Sequence, residues 1–281
     1  MKKAVIFILV ATLAQAAWGQ AIINNIFDAI NFGTSDMVST FIENGTDVNQ
    51  PGFDGQSPLH VAARFSNDPE VFRLLLNAGA EINNLRYPNA TPFELILGRN
   101  NIEFVTIFIN AGVDLHQVTR RGTPLAHAAG QNISSEILHL LVSSGASVTA
   151  GGADGRTPLH RAAGNLWAVN NIAVLLDLGA DINAMDERGI TPLMLASSIY
   201  QNVDVLIRAG ANLNLQSDDG RTALMISAQF GADPRVIPLL LQHGADARLR
   251  DSTGRTALDW FDMNQRLNRH PIRRELWERT M

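Results

Sequence analysis

Residues 153–183 read ADGRTPLHRAAGNLWAVNNIAVLLDLGADIN, and this stretch decides the fold. Thr157 suits a helix N-cap, because its hydroxyl can accept a hydrogen bond from an otherwise orphan amide of the first turn. Pro158 then falls at the first helical position, where the missing N–H costs nothing and φ is already helical. Leu159, Ala162 and Ala163 give a short first helix with a small-residue face that a neighbouring helix can approach closely. Ile172, Leu175 and Leu176 recur at helical spacing and predict a second helix with one apolar stripe. Gly179 suits the position just past a helix end, where a left-handed residue stops the helix. Ile182 leads into a polar turn toward the next cap.

Imperfect copies of this stretch fill most of the chain. Helix-ending glycines fall at Gly45, Gly79, Gly112, Gly145, Gly179, Gly210 and Gly244, at intervals of 34, 33, 33, 34, 31 and 34 residues. A Ser/Thr cap begins each following unit at Ser57, Thr91, Thr123, Thr157, Thr191, Thr222 and Thr256, 12 residues after its glycine except at Thr123, where the gap is 11. A further glycine lies 10 residues after the helix-ending one in every unit but one, where Asn89 replaces it. Glycine and asparagine tolerate positive φ, so a tight turn is specified there. Each helix is shorter than the roughly 12–15 residues at which isolated helices become marginal in water. No unit can bury its apolar face alone, so the units must stack as a solenoid.

The motif Thr157-Pro158-Leu159-His160, with Ala162-Ala163 and Gly179-Ala180-Asp181-Ile182-Asn183, resembles the ankyrin repeat. Ser57-Pro58-Leu59-His60 with Gly79-Ala80-Glu81-Ile82-Asn83 is nearly as close, and the remaining copies keep the frame without the histidine. The resemblance covers about 25–279. It implies an all-α solenoid of stacked helix-turn-helix units with β-hairpin-like fingers, about seven to eight units including caps. It also implies that His60 and His160 are structural hydrogen-bonding residues tying adjacent units together. The domain expectation is one ankyrin-repeat domain over 21–281, with an N-terminal capping repeat at 21–52, six repeats at 53–250 and a C-terminal capping repeat at 251–281. The unit at Thr191 is short between its helices, so its first helix or that turn is expected to be compressed, with a slight bend or gap near 197–202. Trp167, near an inter-helix turn, is expected to pack across adjacent helices.

The first residues form a separate object. Lys2 and Lys3 precede an apolar run from Ala4 to Leu13, then small residues suited to cleavage after Ala16 or Gly19. This is the pattern of a Sec-type secretory signal at 1–19. The run is too short for a bilayer that needs about 20 apolar residues, so no stable membrane insertion is expected after its removal. Lys2 and Lys3 are the only lysines. Without them, 20 arginines face 27 acidic residues, a formal net charge of −7 instead of −5. No global basic field invites nucleic acid. The absence of cysteine removes disulfides, thiolate catalysis, cysteine-built zinc sites and lipobox attachment.

No catalytic constellation emerges. The seven histidines show no i, i+4 metal pair, and the glycine-rich run at 150–155 lacks the Gly-Lys-Ser/Thr ending of a phosphate loop. The finger acids Asp54, Asp154, Asp186, Asp219 and Asp251 fit turn capping better than acid–base work. The chain is therefore expected to be no enzyme and to need no cofactor or metal.

By the resemblance, a partner meets the concave side. Its slots hold Phe53, Arg64, Phe65, Tyr87, Arg99, Arg120, Arg121, Arg156, Arg188, Arg221 and Phe230. Aromatics and arginines are the types enriched at binding hot spots. The expected function is a monomeric, non-catalytic scaffold binding a protein of the cell envelope in the periplasm, as an inhibitor or protector. The alternatives are a secreted protein, a binder or enzyme for small molecules or cell-wall fragments using a groove in the stack, and a scaffold tethered by an uncleaved leader.

Overall fold

The computed structural model describes residues 23–85, 90–231, 233–264 and 270–280. The leader expected over 1–19, Asn89 and the candidate Tyr87 lie outside the described residues. Sixteen α-helices occur among the described residues, in eight consecutive pairs, with no extended strand. Contacts gather the chain into two compact units, one ending at Asp114 and one beginning at Leu115.

The first unit holds α1 (Ile26–Phe32), α2 (Ser35–Glu43), α3 (Pro58–Phe65), α4 (Pro69–Asn77), α5 (Pro92–Leu97) and α6 (Ile102–Asn110). The second holds α7 (Pro124–Ala129), α8 (Ser135–Ser143), α9 (Pro158–Ala163), α10 (Val169–Asp177), α11 (Pro192–Ala196), α12 (Tyr200–Arg208), α13 (Ala223–Phe230), α14 (Val236–Gln242), α15 (Ala257–Met263) and α16 (Ile272–Thr280).

The seven Ser/Thr caps explain where the first helices begin. Each stands in extended backbone, and its side-chain oxygen accepts from the N–H three residues on. Where the histidine is missing, an acid can supply the return bond. Thr91 N–H donates to Glu94 Oε2 at 2.8 Å, and Thr256 N–H donates to Asp259 Oδ2 at 2.7 Å. Both are capping boxes, satisfying two orphan amides reciprocally.

His160 does the same and reaches further. Its Nδ1 accepts from Thr157 N–H at 3.2 Å, which leaves Nε2 to donate to Ile190 O at 2.8 Å, one repeat away. Burial holds its pKa below the ordinary value, keeping the ring neutral. Gly179 has φ of +92°, and a Cβ there would meet nothing within 4 Å, so conformation alone selects the glycine.

Packing then completes what the caps begin. In the first unit Phe72 lies 4.9 Å from Phe104 and 5.9 Å from Phe108, and Phe93 stacks 5.7 Å from Phe108. In the second unit one apolar core runs from Ala129 to Leu276. Ile172 and Leu175 are fully buried in it, each contributing about 1.5–3 kcal/mol relative to exposure.

Side-chain amides stitch neighbouring repeats. Asn49 Nδ2 donates to Gly79 O at 3.0 Å while its Oδ1 accepts from Glu81 N–H at 2.8 Å. Asn214 repeats this with Gly244 O and Asp246 N–H at 3.3 and 2.8 Å. Inside the stack, Asn171 Nδ2 donates to Ala129 O and Gln131 O at 3.1 and 2.8 Å, and Asn202 Nδ2 to Ala163 O and Asn165 O, both at 2.9 Å. Ala129 and Ala163 end their first helices, where carbonyls have no partner within the helix, and Gln131 and Asn165 lie two residues beyond.

Two expectations are corrected. No gap opens near 197–202. The short turn is absorbed by trimming α11 to five residues, Asn202 is fully buried, and Ser227 Oγ donates to Ser197 O at 2.9 Å. Trp167 does not pack across helices. It is 71% exposed beside the half-exposed Leu166, and the buried place behind it belongs to Ala168. Asn165 causes this, because its Nδ2 reaches Gly130 O at 2.6 Å and its Oδ1 accepts Trp167 N–H at 2.9 Å. The polar residue turns in and the indole stays out.

The fingers are tight hydrogen-bonded turns. Gly152 N–H donates to Arg156 O at 3.1 Å and Gly155 N–H to Gly152 O at 2.9 Å; a β-bridge links Thr119 and Gly122. Successive fingers in the second unit also bond tip to tip, through Asp218 N–H to Arg188 O and Ser252 N–H to Asp219 O, both at 3.0 Å. At the C-terminus, α16 buries Ile272 and Leu276 and keeps its arginines in ion pairs, as with Arg273 and Asp262 at 2.6 Å.

Candidate functional site

In the first unit the candidates gather on one finger and the end of α3. Gly52 N–H donates to Gln56 O at 2.8 Å and closes the turn that carries Phe53. Phe53 projects from the tip with full exposure, 116% of the reference value. Gln56 is buried at the finger base, where its Oε1 accepts from Arg64 Nη1 at 3.4 Å. The Arg64 guanidinium also lies over the Phe65 ring at 5.2 Å, and Phe65 is 57% exposed. Arg64 therefore ties the finger base to an exposed aromatic.

Arg99 sits in the slot corresponding to Phe65 but points elsewhere. Its Nη1 donates to Ala63 O at 3.2 Å and to Ser66 O, its Nη2 donates to Asn67 Oδ1, and the group lies 4.7 Å from the Phe104 ring. It caps the C-terminal end of α3, where the helix dipole favours a cation. Burial lowers its pKa from the ordinary value.

In the second unit Arg120 and Arg121 stand exposed at the tip of the 119–122 finger. Arg156 is held at its finger base by Asp186, with Nε to Oδ2 at 3.2 Å. For Asp186, burial works against the charged form, but N–H donors from Arg188 and Ile190 and the Arg156 guanidinium outweigh it and lower the pKa. Arg188 is exposed. Arg221 pairs with Asp219 at 3.0 Å and lies 4.4 Å from the Trp260 ring, which Arg255 also approaches at 4.9 Å. Phe230 ends α13 in the same slot as Phe65 and is likewise exposed.

A cavity of about 660 Å³ opens in the second unit on the finger side of the first helices. Arg120, Arg121, Arg156 and Arg161 line it, with Gly130 and Gly164 among its other wall residues. Arg161 was not among the sequence candidates. Its Nη2 donates to both carboxylate oxygens of Asp154, at 2.8 and 2.9 Å. Gly152 makes room for it, since a Cβ there would fall 3.0 Å from Gly122 Cα and 3.3 Å from Arg161 Nη2. The signal available in the sequence was Gly152: the turn itself requires Gly151, where a Cβ would fall 2.6 Å from Gly155 C, while the glycine beside it answers to Gly122 and Arg161.

Among the described residues, no group of three or more His, Asp or Glu side chains could hold a metal ion, and no helix is long and apolar enough to cross a membrane. The finger acids act as turn caps: Asp54 Oδ1 accepts from Gln56 N–H at 3.1 Å, Asp154 Oδ1 from Arg156 N–H at 3.2 Å and Asp251 Oδ1 from Thr253 N–H at 2.8 Å.

No curated protein matches the chain. Among solved structures the chain is similar to the ankyrin repeat domain of Bcl-3, described as a unique member of the IκB protein family. The two share 26% identity with a TM-score of 0.66, over 79% of this chain and 100% of that one. With 606 solved chains matching, the likeness identifies an architecture and singles out no partner. The family pattern for ankyrin repeats, in three-copy form, matches residues 23–86, 94–186 and 193–261. The stacked helix pairs, the capped first helices and this coverage place the chain in the ankyrin-repeat family, whose members generally mediate protein–protein interaction.

Proposed function

We propose that the chain is a monomeric, non-catalytic scaffold that holds a protein of the cell envelope against its fingers and first helices, as an inhibitor or protector. The observation that carries this reading is the Phe53–Arg64–Phe65 group. Two large aromatics stand exposed with an arginine against one of them, on a face where Gln56 and the backbone turn already satisfy the local hydrogen bonds. Aromatic and arginine side chains on a rigid support are the usual anchors of an interface. Export to the periplasm belongs to the same proposal and is supported by Lys2, Lys3 and the apolar run that follows them.

Affinity capture from envelope extract tests the scaffold. The wild-type chain should retain a protein that F53A/F65A loses, with the helical circular dichroism of the two unchanged. Capture retained by the double variant overturns the assignment of this face. Sequencing of the mature N-terminus tests export: a start at Ala17 or Gln20 supports it, and an intact Met1 overturns it.

A further inference from the structure

We infer that the cavity of the second unit is a docking groove for an acidic, extended segment of a protein partner, its carboxylates seated between Arg120, Arg121 and Arg156 with Arg161 fixing the wall. The inference rests on the protein-binding reading and adds the chemistry of the occupant.

Four guanidinium groups converge here in a chain whose overall charge is negative. No carboxylate lines the cavity. The two acids beside it are already paired, the part-exposed Asp154 with Arg161 and Arg156, and Asp186 with Arg156. Asp186 is closed off, its side chain only 2% exposed. Arg161 Nε is buried without an acceptor, while its Nη2 is paired with Asp154, so the excess positive charge of the wall rests on Arg120 and Arg121. Arg120 and Arg121 make no side-chain ion pair among the described residues, and both remain exposed. The two histidines of the wall add no negative charge, and burial keeps His160 neutral.

Shape selects a peptide over a small anion. The lining comes from α7, α9 and Leu195 of α11, three successive first helices. Neighbouring helices pack about 8–10 Å apart, so three of them span roughly 16–20 Å, the length of about five to six residues of extended chain. Ala126, Gly130 and Gly164 keep that floor low. Guanidinium forks match carboxylates in two-point contacts, so two fingers presenting them one repeat apart read carboxylates spaced along a strand.

The test is fluorescence anisotropy with a labelled eight-residue probe of alternating Glu and Ser, beside its Gln-for-Glu counterpart, on the full mature chain. The Glu probe should bind, more tightly at low ionic strength, and the Gln probe at least about tenfold more weakly. R120A/R121A should lose about tenfold for the Glu probe, with R120K/R121K recovering part of it. R208A, on α12 with its side chain 76% exposed, should bind as wild type does. Equal binding of the two probes overturns the inference, as does full affinity in R120A/R121A. Tighter binding of inorganic pyrophosphate than of the Glu probe also overturns it, in favour of a small-anion site. If the wild-type chain captures an envelope protein through Phe53 and Phe65 while the Glu probe fails to bind, this inference falls and the scaffold reading stands.

Discussion

Gly220 and Gly254 occupy the same place in successive fingers, and substituting each by alanine separates backbone conformation from finger-to-finger packing. Their φ values are nearly equal, +77° and +82°. An L-residue in this left-handed region costs about 1–2 kcal/mol at either site. The surroundings differ. A Cβ at Gly254 meets nothing within 4 Å, as no further finger packs against it among the described residues. At Gly220 the same atom falls 2.7 Å from Ser252 N and 2.9 Å from Asp251 Cα, both backbone. The next finger must retreat, and the Ser252 N–H to Asp219 O bond of 3.0 Å goes with it. Overpacking of this kind costs about 1–3 kcal/mol, and a lost hydrogen bond about 1 kcal/mol more. G254A should therefore lose about 1–2 kcal/mol and G220A roughly 3–6 kcal/mol. Urea titration followed by far-ultraviolet circular dichroism measures both, with hydrogen exchange of the Ser252 amide reporting the broken contact. Equal losses within about 0.5 kcal/mol, the usual error of such comparisons, would refute the claim that adjacent fingers constrain one another.

Three further predictions concern residues that hold repeats together. R99A should lose about 2–3 kcal/mol in the urea titration, because charge-assisted bonds to Ala63 O and Ser66 O end with it; R99K should recover less than half, lacking the fork. N171A leaves the Ala129 carbonyl buried without its donor, removes the bond to Gln131 O as well, and should cost about 2 kcal/mol by the same assay. Asp251 supplies a pH dependence. Burial would raise its pKa, but bonds from Thr253, Arg255 and Trp260 Nε1 outweigh it and bring it to about 2 from the ordinary 3.8. A lowered carboxyl pKa stabilises the fold above the unfolded value, and that stability is lost as pH falls from 3.8 toward 2. The loss should be on the order of 1 kcal/mol after solvent screening. It should be missing from the pH profile of D251N.

What the sequence made legible was local. A cap hydroxyl at Thr157, a proline behind it and a glycine at Gly179 each act on backbone within a turn of themselves. Seven copies in phase multiply a weak signal into a fold. Side-chain direction was not local. Phe65, Arg99, Asn165 and Phe230 share one slot after the first helix, and the repeat frame assigned that slot a single facing. The carbonyls ending the previous first helix lie within reach of it, and the side chain's chemistry decides the outcome. Arg99 and Asn165 can donate, so they fold back onto Ala63, Ser66 and Gly130. Phe65 and Phe230 cannot, so they stay on the surface. The fingers sort by nearby carboxylates: Arg221 is held by Asp219 of its own finger at 3.0 Å, Arg156 is anchored through Nε to Asp186 at 3.2 Å while still lining the cavity, and Arg120, Arg121 and Arg188 stand exposed. In a repeat protein a candidate residue in the slot at the end of a first helix is thus best read against the carbonyls one repeat away, because a donor that finds them, as Arg99 and Asn165 do, folds back onto the neighbouring repeat.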